Sequence, residues 1–488
     1  MKRHTLFILI LVGGVIMRLY RFQELFYYAH DQDLASWIMR DIMEHGVRLI
    51  GQETSSSGVF IGPLFYYSLI PFYMLFGGDP IGGVFLSVAI GALSIVSVYY
   101  ILTKLYSKNA GLIAATIFAF SNVIVMTDRE VVPTTPAMLA SMWLFYALIS
   151  LYRGKQKQGL VIGGIALGLV WNINLAIGIV APLFGLAFLA SRKKLNVRAA
   201  ALGLTAFVVL MLPYVVFESR HGFSQTKAIM GSVTSDAAHV PGTSNTFGEK
   251  LDRTFQLVAK NTTNILWGEA VHIRSFTALF LFSSSLLYLL SSKKIKRFEA
   301  TLFLLWQAMY ILFFTLNAIN LSEYYLNGMN VVWVVCLSLV TSFLLRDKRR
   351  LVLTALAVFI LLNIYRLTSI SVNHSGYVER TAIIKEITMD AKLHGYPCVA
   401  ISYITSPGND LGYRYLIYRE GLHANQSKSG SPVYSIVFPL SKVDRIDKSF
   451  GALGLIYPDY ARYTKEEIAR SCSGENANLT DPVFGFVN

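Results

Sequence analysis

The densest group of side chains able to do chemistry is YYAHDQDLASWIMRDIMEHG, residues 27–46, which holds His30, Asp31, Asp33, Arg40, Asp41, Glu44 and His45. Positioned carboxylates can do catalytic work, so Asp31 and Asp33 are candidate catalytic residues. They also suit a plainer task. From Leu34 onward, Leu34, Trp37, Ile38, Ile42 and Met43 recur at helical spacing, which predicts an amphipathic helix along a membrane interface with the two aspartates at its start. Carboxylates there are stabilised by the helix dipole and by free N–H groups, so either could be a cap. Asp31-Gln32-Asp33 is also a D-x-D triplet, and oxygen ligands of this kind suit Mg2+ or Mn2+. Two helical residues two positions apart point about 200° apart, so this pair could share an ion only from an extended or capping conformation.

Two further polar groups stand out. TDREVVPTTP, residues 127–136, carries Asp128, Arg129 and Glu130; it reads as a second acidic site or as a solvated turn with a local ion pair. ESRHGFSQTK, residues 218–227, offers Arg220, His221 and Lys227, which could bind a phosphate at headgroup depth or simply anchor the chain at the interface. Trp37, Tyr66 and Tyr67 are aromatic residues of the kind that mark the headgroup level. The C-terminal part has no nucleophile elbow, phosphate loop or zinc-ligand spacing. Asn261, Asn373, Asn425 and Asn478 each begin an N-x-S/T triplet, a pattern that is frequent by chance.

The elements that must carry these groups are dictated by composition. The chain has 488 residues, 54% hydrophobic and only 15% charged, against about 25% charged in soluble domains. Apolar runs fall at 5–22, 61–77, 81–103, 110–127, 132–152, 159–174, 176–190, 199–217, 273–291, 299–317, 327–345 and 350–367. Many have the roughly 20 residues needed to cross a hydrocarbon core of about 30 Å. The net charge of +14 does not indicate nucleic acid, because the basic residues sit in short clusters between apolar runs. Those clusters, at Lys2–Arg3, Lys104/Lys108, 153–157, 192–198, 293–297 and 346–350, test the topology. All fall on one side if 61–77, interrupted by Pro63 and Pro71, lies in or near the outer interface instead of crossing.

This arrangement predicts about eleven transmembrane helices, a cytoplasmic N-terminus and outer loops at 23–80 and 218–272, with short outer turns at 128–131 and 318–326. The start reads as a retained first span, not a cleaved signal peptide. It divides the chain into a membrane domain, 1–368, and an extracytoplasmic α/β domain, 369–488. Strand-like runs PCVAISYI, PVYSIVFPL and GALGLIYP mark the second. Cys398 and Cys472 lie within it and could pair in an oxidising compartment.

The order of motifs resembles the integral-membrane C-type glycosyltransferases, more narrowly the relatives of protein O-mannosyltransferase and of lipid A aminoarabinose transferase. HDQDLASWIMRDIMEHG followed by GPLFYYSLIPFYMLFG looks like that family's first outer loop, an acidic motif with two juxtamembrane helices. TDREVVPTTPAMLASMWLFYALISLYRGK resembles the segment bearing its second polar site, and SEYYLNGMNVVWVV resembles a weaker pattern at a later outer turn. The likeness covers residues 1–155 well, extends to about 345 and stops before the tail. There are departures: the acidic pair reads Asp31-Gln32, no Asp stands near Val132-Pro133, and the EYY turn lacks an Arg.

The resemblance implies a sugar donor linked to a polyprenyl phosphate, an acceptor hydroxyl on a protein, lipid or glycan, inversion at the anomeric carbon, and Asp31 as general base. Arg129, Arg220, His221 and Lys227 are candidates to neutralise the phosphate, and Trp37, Tyr66 and Tyr67 could stack on the sugar ring instead of marking the headgroup level. No cofactor is required, and a divalent cation on Asp31 and Asp33 is optional. Two other classes compete: a transporter or lipid-linked sugar flippase, which would keep charges near the bilayer midplane, and a non-catalytic membrane scaffold that binds through its tail.

Overall fold

The computed structural model describes residues 3–234, 246–267, 275–293, 295–317 and 322–479. Lys2 and Lys294 of the basic clusters, residues 273–274 of one apolar run and residues 318–321 of one outer turn lie outside these. Among the described residues, every one of the twelve apolar runs is helical.

The first helix, α1 (Arg3–Leu19), leads into α2 (His30–His45) and α3 (Leu64–Leu75). At 1.5 Å per residue, the 12 residues of α3 rise about 18 Å, short of a span, with Pro71 inside the helix. Next come α4 (Ile81–Leu105), α5 (Lys108–Phe120), α6 (Asn122–Thr127), α7 (Ala137–Tyr152), α8 (Gln156–Ile173), α9 (Pro182–Ser191) and α10 (Val197–Arg220). Then α11 (Ser224–Thr234) and α12 (Phe247–Trp267) precede α13 (Ser275–Ser291), α14 (Arg297–Leu316), α15 (Asn327–Asp347) and α16 (Arg349–Thr368). The expected outer loop 218–272 is therefore partly helical: α12 is an amphipathic helix of 21 residues whose periodicity the charge count obscured.

Among the described residues five helices are long and apolar enough to cross a membrane: α4, α10, α14, α15 with the turn before it, and α16. Six shorter apolar helices among the described residues have 10–17 residues, and α8 has 18. The shortening has local causes. Ser121 leaves helical geometry and splits the run 110–127 into α5 and α6, while its hydroxyl donates to Ile265 O at 2.7 Å. Asn174, in extended backbone, ends α8 and caps a 3-10 turn at Leu175–Val180. The chain is a polytopic membrane protein; its apolar helices enclose a core formed mainly by α4, α5, α7, α14 and α15.

The tail folds into α17 (Tyr377–Leu393), β1 (Val399–Thr405), α18 (Arg414–Arg419), β2 (Ala424–Asn425), β3 (Val433–Phe438), β4 (Lys448–Phe450), β5 (Leu453–Ile456) and α19 (Lys465–Ser471). The three strand-like runs became β1, β3 and β5. The sheet order is β2-β1-β3-β5-β4, with β1 parallel to β2 and β3, and β5 antiparallel to β3 and β4. Cys398 and Cys472, 74 positions apart, form a disulfide. The tail does not stand apart: Trp37, Ile38, Tyr66, Tyr73, Ile383, Tyr415 and Leu416 belong to one continuous apolar core that joins it to α2 and α3.

Candidate active site

The N-terminal turn of α2 is built by its own side chains. Gln32 Oε1 accepts from Ala29 N at 3.0 Å, and Asp33 N donates to Ala29 O at 3.1 Å. Gln32 is thus a buried capping group, a task that needs an amide or carboxyl oxygen but no charge. Because α2 already begins at His30, Asp31 and Asp33 are both helical and point to different sides. Asp31 is exposed and lines a cavity of about 610 Å³ together with His30 and Glu130.

Asp33 goes elsewhere. Only 5% exposed, it accepts from Tyr28 Oη at 2.9 Å, Arg414 N at 3.0 Å and Tyr415 N at 3.0 Å. Although expected as a catalytic candidate, it does not line the cavity. Asp31 and Asp33 thus face different surroundings. Among the described residues no three His, Cys, Asp or Glu side chains converge as metal ligands.

The second acidic segment divides in the same way. Asp128 is 3% exposed and takes Arg18 Nε at 3.0 Å and Nη2 at 2.5 Å. Arg18 is fully buried and also donates to Gly14 O and Phe118 O, each at 2.9 Å. The pair fits because Gly91 of α4 faces it: a Cβ there would lie 2.4 Å from Arg18 Nε and 2.9 Å from Asp128 Oδ2. Asp128 is therefore a fastener of the turn. Arg129 is 5% exposed and donates at 3.4 Å to Arg21 O, and among the described residues its buried Nη1 has no partner. Burial lowers its pKa to about 10.

Glu130 reaches the cavity. Ser87 Oγ and Thr135 Oγ1 both donate to its carbonyl, at 3.0 and 2.5 Å, and hold the turn. Its carboxyl is open to cavity water yet surrounded by protein mass. Desolvation, then the charges of Asp31 and Asp128, push it up to about 7.

The remaining walls come from two places. Residues 51–61 double back on themselves, with Gly51 N to Ile61 O at 2.7 Å and Thr54 N to Val59 O at 2.7 Å, and present Glu53 and Ser55. Ser55 Oγ meets Tyr325 Oη at 2.5 Å and Tyr324 Oη at 3.3 Å. The SEYY turn before α15 is thereby joined to a loop 270 positions away. Asn174 Nδ2 donates to Tyr324 O at 3.0 Å and closes that corner. Thus Asp31, Glu130 and the EYY turn, distant in sequence, share one cavity. Glu53, Ser55 and Asn174 carried no sequence signal for this; His30 and Tyr324–Tyr325 did, through the motifs that contain them.

Several expected contacts are taken up by the protein itself. Trp37 is 2% exposed, with Arg414 over its ring at 3.9 Å and Arg40 at 4.6 Å, so no face is left for a sugar. Tyr66 is fully buried, and its hydroxyl exchanges two hydrogen bonds of 3.1 Å with Gln52. Tyr67 Oη bonds the backbone of Arg48 at 2.9 and 3.2 Å. Both tyrosines pin the loop behind the cavity wall. Arg220 ends α10, His221 follows it and Lys227 lies in α11, and none of them lines the cavity; His221 stacks on Phe217 at 4.2 Å and Lys227 Nζ donates to Gly222 O at 2.9 Å. Among the described residues no Lys or Arg lines the cavity.

A second, apolar groove of about 470 Å³ runs between α3, α4, α7 and α8, lined by Leu64, Phe65, Ile90, Trp143, Ile165 and Leu169 among others. Segments near 61–65, 132–136 and 172–176 wall both the groove and the cavity.

Residues 61–217 match the family model described as dolichyl-phosphate-mannose-protein mannosyltransferase. The whole chain has the fold of ArnT from Cupriavidus metallidurans. With the structure bound to undecaprenyl phosphate it shares 11% identity at a TM-score of 0.63, over 92% of this chain and 97% of that one. With the apo structure the values are 10% and 0.60, over 94% and 98%. The oligosaccharyltransferase of Archaeoglobus fulgidus in its apo form follows at 15% identity and a TM-score of 0.49, over 88% of this chain and 65% of that one. No curated protein matches by sequence search. The resemblance to the integral-membrane C-type glycosyltransferases thus holds in sequence over 61–217 and in fold over nearly the full length.

Proposed function

We propose that this protein is a membrane glycosyltransferase that moves a hexosyl or pentosyl unit from a polyprenyl-phosphate carrier to an acceptor hydroxyl on a protein, lipid or glycan, at the outer face of the cell membrane. The observation that carries the reading is the convergence of Asp31, Glu130 and the Tyr324–Tyr325 turn on one cavity, while Asp33 and Asp128 of the same motifs are consumed by structure.

In this reading Asp31 takes the acceptor's hydroxyl proton as that oxygen attacks the anomeric carbon in line. The bond from the anomeric carbon to the phosphate oxygen breaks, its electron pair leaves with the lipid phosphate, and the carbon inverts. Glu130, titrating near neutrality, offers a proton or hydrogen bond to the developing charge. Of the basic candidates Arg129 stands one position from Glu130 and has an unsatisfied buried Nη1, but it does not line the cavity, so answering the phosphate requires its side chain to turn inward. The apolar groove beside the cavity suits the carrier's tail in contact with membrane lipid. A divalent cation is not required; Asp31, Glu53 and Glu130 are the carboxylates that line the cavity should one bind. The fold match to ArnT, one of whose structures holds undecaprenyl phosphate, supports the donor class. The Cys398–Cys472 disulfide supports an extracytoplasmic tail, and with it a cytoplasmic N-terminus and about eleven spans.

The test is transfer of labelled sugar from polyprenyl-phosphate donors in reconstituted vesicles, wild type against Asp31→Ala. Loss of turnover with the fold intact is the expected result. Equal turnover in the two would overturn the mechanism.

A further inference from the structure

We propose that Asp33 is a positioning residue: its carboxylate fastens the tail domain to the first turn of α2 and thereby holds Asp31 in the cavity. The proposal rests on the function argued above and assigns a role within it to a residue that touches no substrate.

Asp33 meets three donors, none of them charged. Oδ1 accepts from Tyr28 Oη and Tyr415 N, and Oδ2 accepts from Arg414 N. Two of these are the leading amides of a tail segment 381 and 382 positions away. A carboxylate that is 5% exposed and spends both oxygens on such bonds is worth its desolvation only if the segment must stay where it is.

The surrounding contacts grip both ends of the short stretch that leads into α2. Before it, Tyr377 N donates to Phe26 O at 3.2 Å. Beside it, Gly412 takes φ +92, and a Cβ there would lie 3.0 Å from Ala29 Cα and 2.9 Å from Ala29 C. After it, Arg414 lies over Trp37, and Tyr418 bonds Glu44 and packs under Arg40 at 4.4 Å. Arg419 Nη2 meets Asp79 at 2.7 Å, and Tyr415 Oη donates to Gly78 O at 2.7 Å, which fixes the end of α3 as well. His30 and Asp31 are the residues of this turn that face the cavity. The tail thus clamps the back of the turn whose front presents the base.

Displacing a general base by about 1 Å costs on the order of 100-fold in rate while leaving distant substrate contacts intact. The experiment compares wild type, Asp33→Ala, Asp33→Asn and Gly412→Ala, all full length in vesicles or detergent. Two quantities are read: kcat and donor KM for transfer, and deuterium uptake of residues 411–416 and 27–33. The expected result is a 10- to 100-fold fall in kcat with donor KM changed less than about threefold, and faster uptake in both segments. Asp33→Asn, which keeps one acceptor oxygen, falls between wild type and alanine. Gly412→Ala pushes the same clamp apart without altering Asp33 and gives the same pattern, which covers the case in which Asp33→Ala does not fold. Faster uptake with unchanged kcat would overturn the proposal. So would lost kcat with unchanged uptake, since Asp33 would then act in the chemistry directly. A wild type that transfers from no donor would defeat the functional reading by itself, and uptake in the two segments would still decide whether Asp33 holds the clamp.

Discussion

Arg18 and Asp128, 110 positions apart, form a buried ion pair in which two guanidinium nitrogens reach one carboxylate oxygen. It binds the first helix to the outer turn that carries Glu130. Removing one partner leaves a buried charge without compensation, at a cost of about 3–5 kcal/mol. Arg18→Ala or Asp128→Ala should therefore lower the melting temperature sharply in detergent, whereas the paired Arg18→Met/Asp128→Leu variant should recover most of the loss. Gly91→Ala, which intrudes on the same pair, should also destabilise. A single variant as stable as wild type would refute the fastening role.

Asp31→Asn keeps size and polarity but removes the base. Turnover should fall roughly 100- to 10,000-fold with an unchanged melting temperature, because no hydrogen bond to the Asp31 side chain is present among the described residues. A melting temperature that falls with the activity would point to a structural role instead.

Glu130 sits above its ordinary pKa of 4.5, at about 7, because burial and the nearby Asp31 and Asp128 disfavour its charge. The sign follows: its contribution to stability falls as pH rises between about 4.5 and 7 and is flat beyond. If its protonated form assists the leaving phosphate, kcat/KM should decline as pH rises through about 7. Glu130→Gln should flatten that limb, and Asp31→Asn should move it to lower pH by removing a negative neighbour. A limb that persists unshifted in Glu130→Gln belongs to another group.

Chelation by EDTA should leave turnover unchanged, since Asp31 and Asp33 face different sides and cannot hold one ion together. Loss of turnover restored by Mg2+ or Mn2+ would instead point to a cation among the cavity carboxylates Asp31, Glu53 and Glu130.

The disulfide closes a loop of 74 positions, which by chain entropy is worth about 4 kcal/mol. Cys398→Ser or Cys472→Ser should lower the melting temperature of the tail, and reductant should do the same to wild type. Equal melting with and without reductant would show the bridge to be unformed in the protein.

Much of this was legible in the chain. The apolar runs located the helices that carry few charges, whereas α11 and α12 fell inside an expected loop, and the proline pair at 63 and 71 marked α3 as a short helix. The three motifs that meet at the cavity were all visible as local clusters. What sequence could not supply was which acid of each cluster faces inward. Asp31 and Asp33 have the same chemistry, and only the phase of α2, set by Gln32 capping Ala29, separates them. Asp128 and Glu130 are divided by Arg18, which stands 110 positions away and reads in sequence as the flank of a span. Trp37 and Tyr66 looked like sugar platforms because their partners, Arg414 and Gln52, lie across a domain contact and a loop.

The shared core between tail and outer helices also sets an order of events during synthesis. Asp33 leaves the ribosome 381 residues ahead of Arg414, which at about 5–20 residues per second is a delay of roughly 20–75 s. The membrane helices can insert during that interval, while α2 waits uncovered, with the apolar side that the tail later buries still facing water or lipid. Nascent chains arrested before residue 414 should be cut by protease within 27–46, and completed chains should be protected there. The candidate site would then be the last part of the molecule to mature, and a chain lost at its far end would be recognisable to quality control by an outer loop near its beginning.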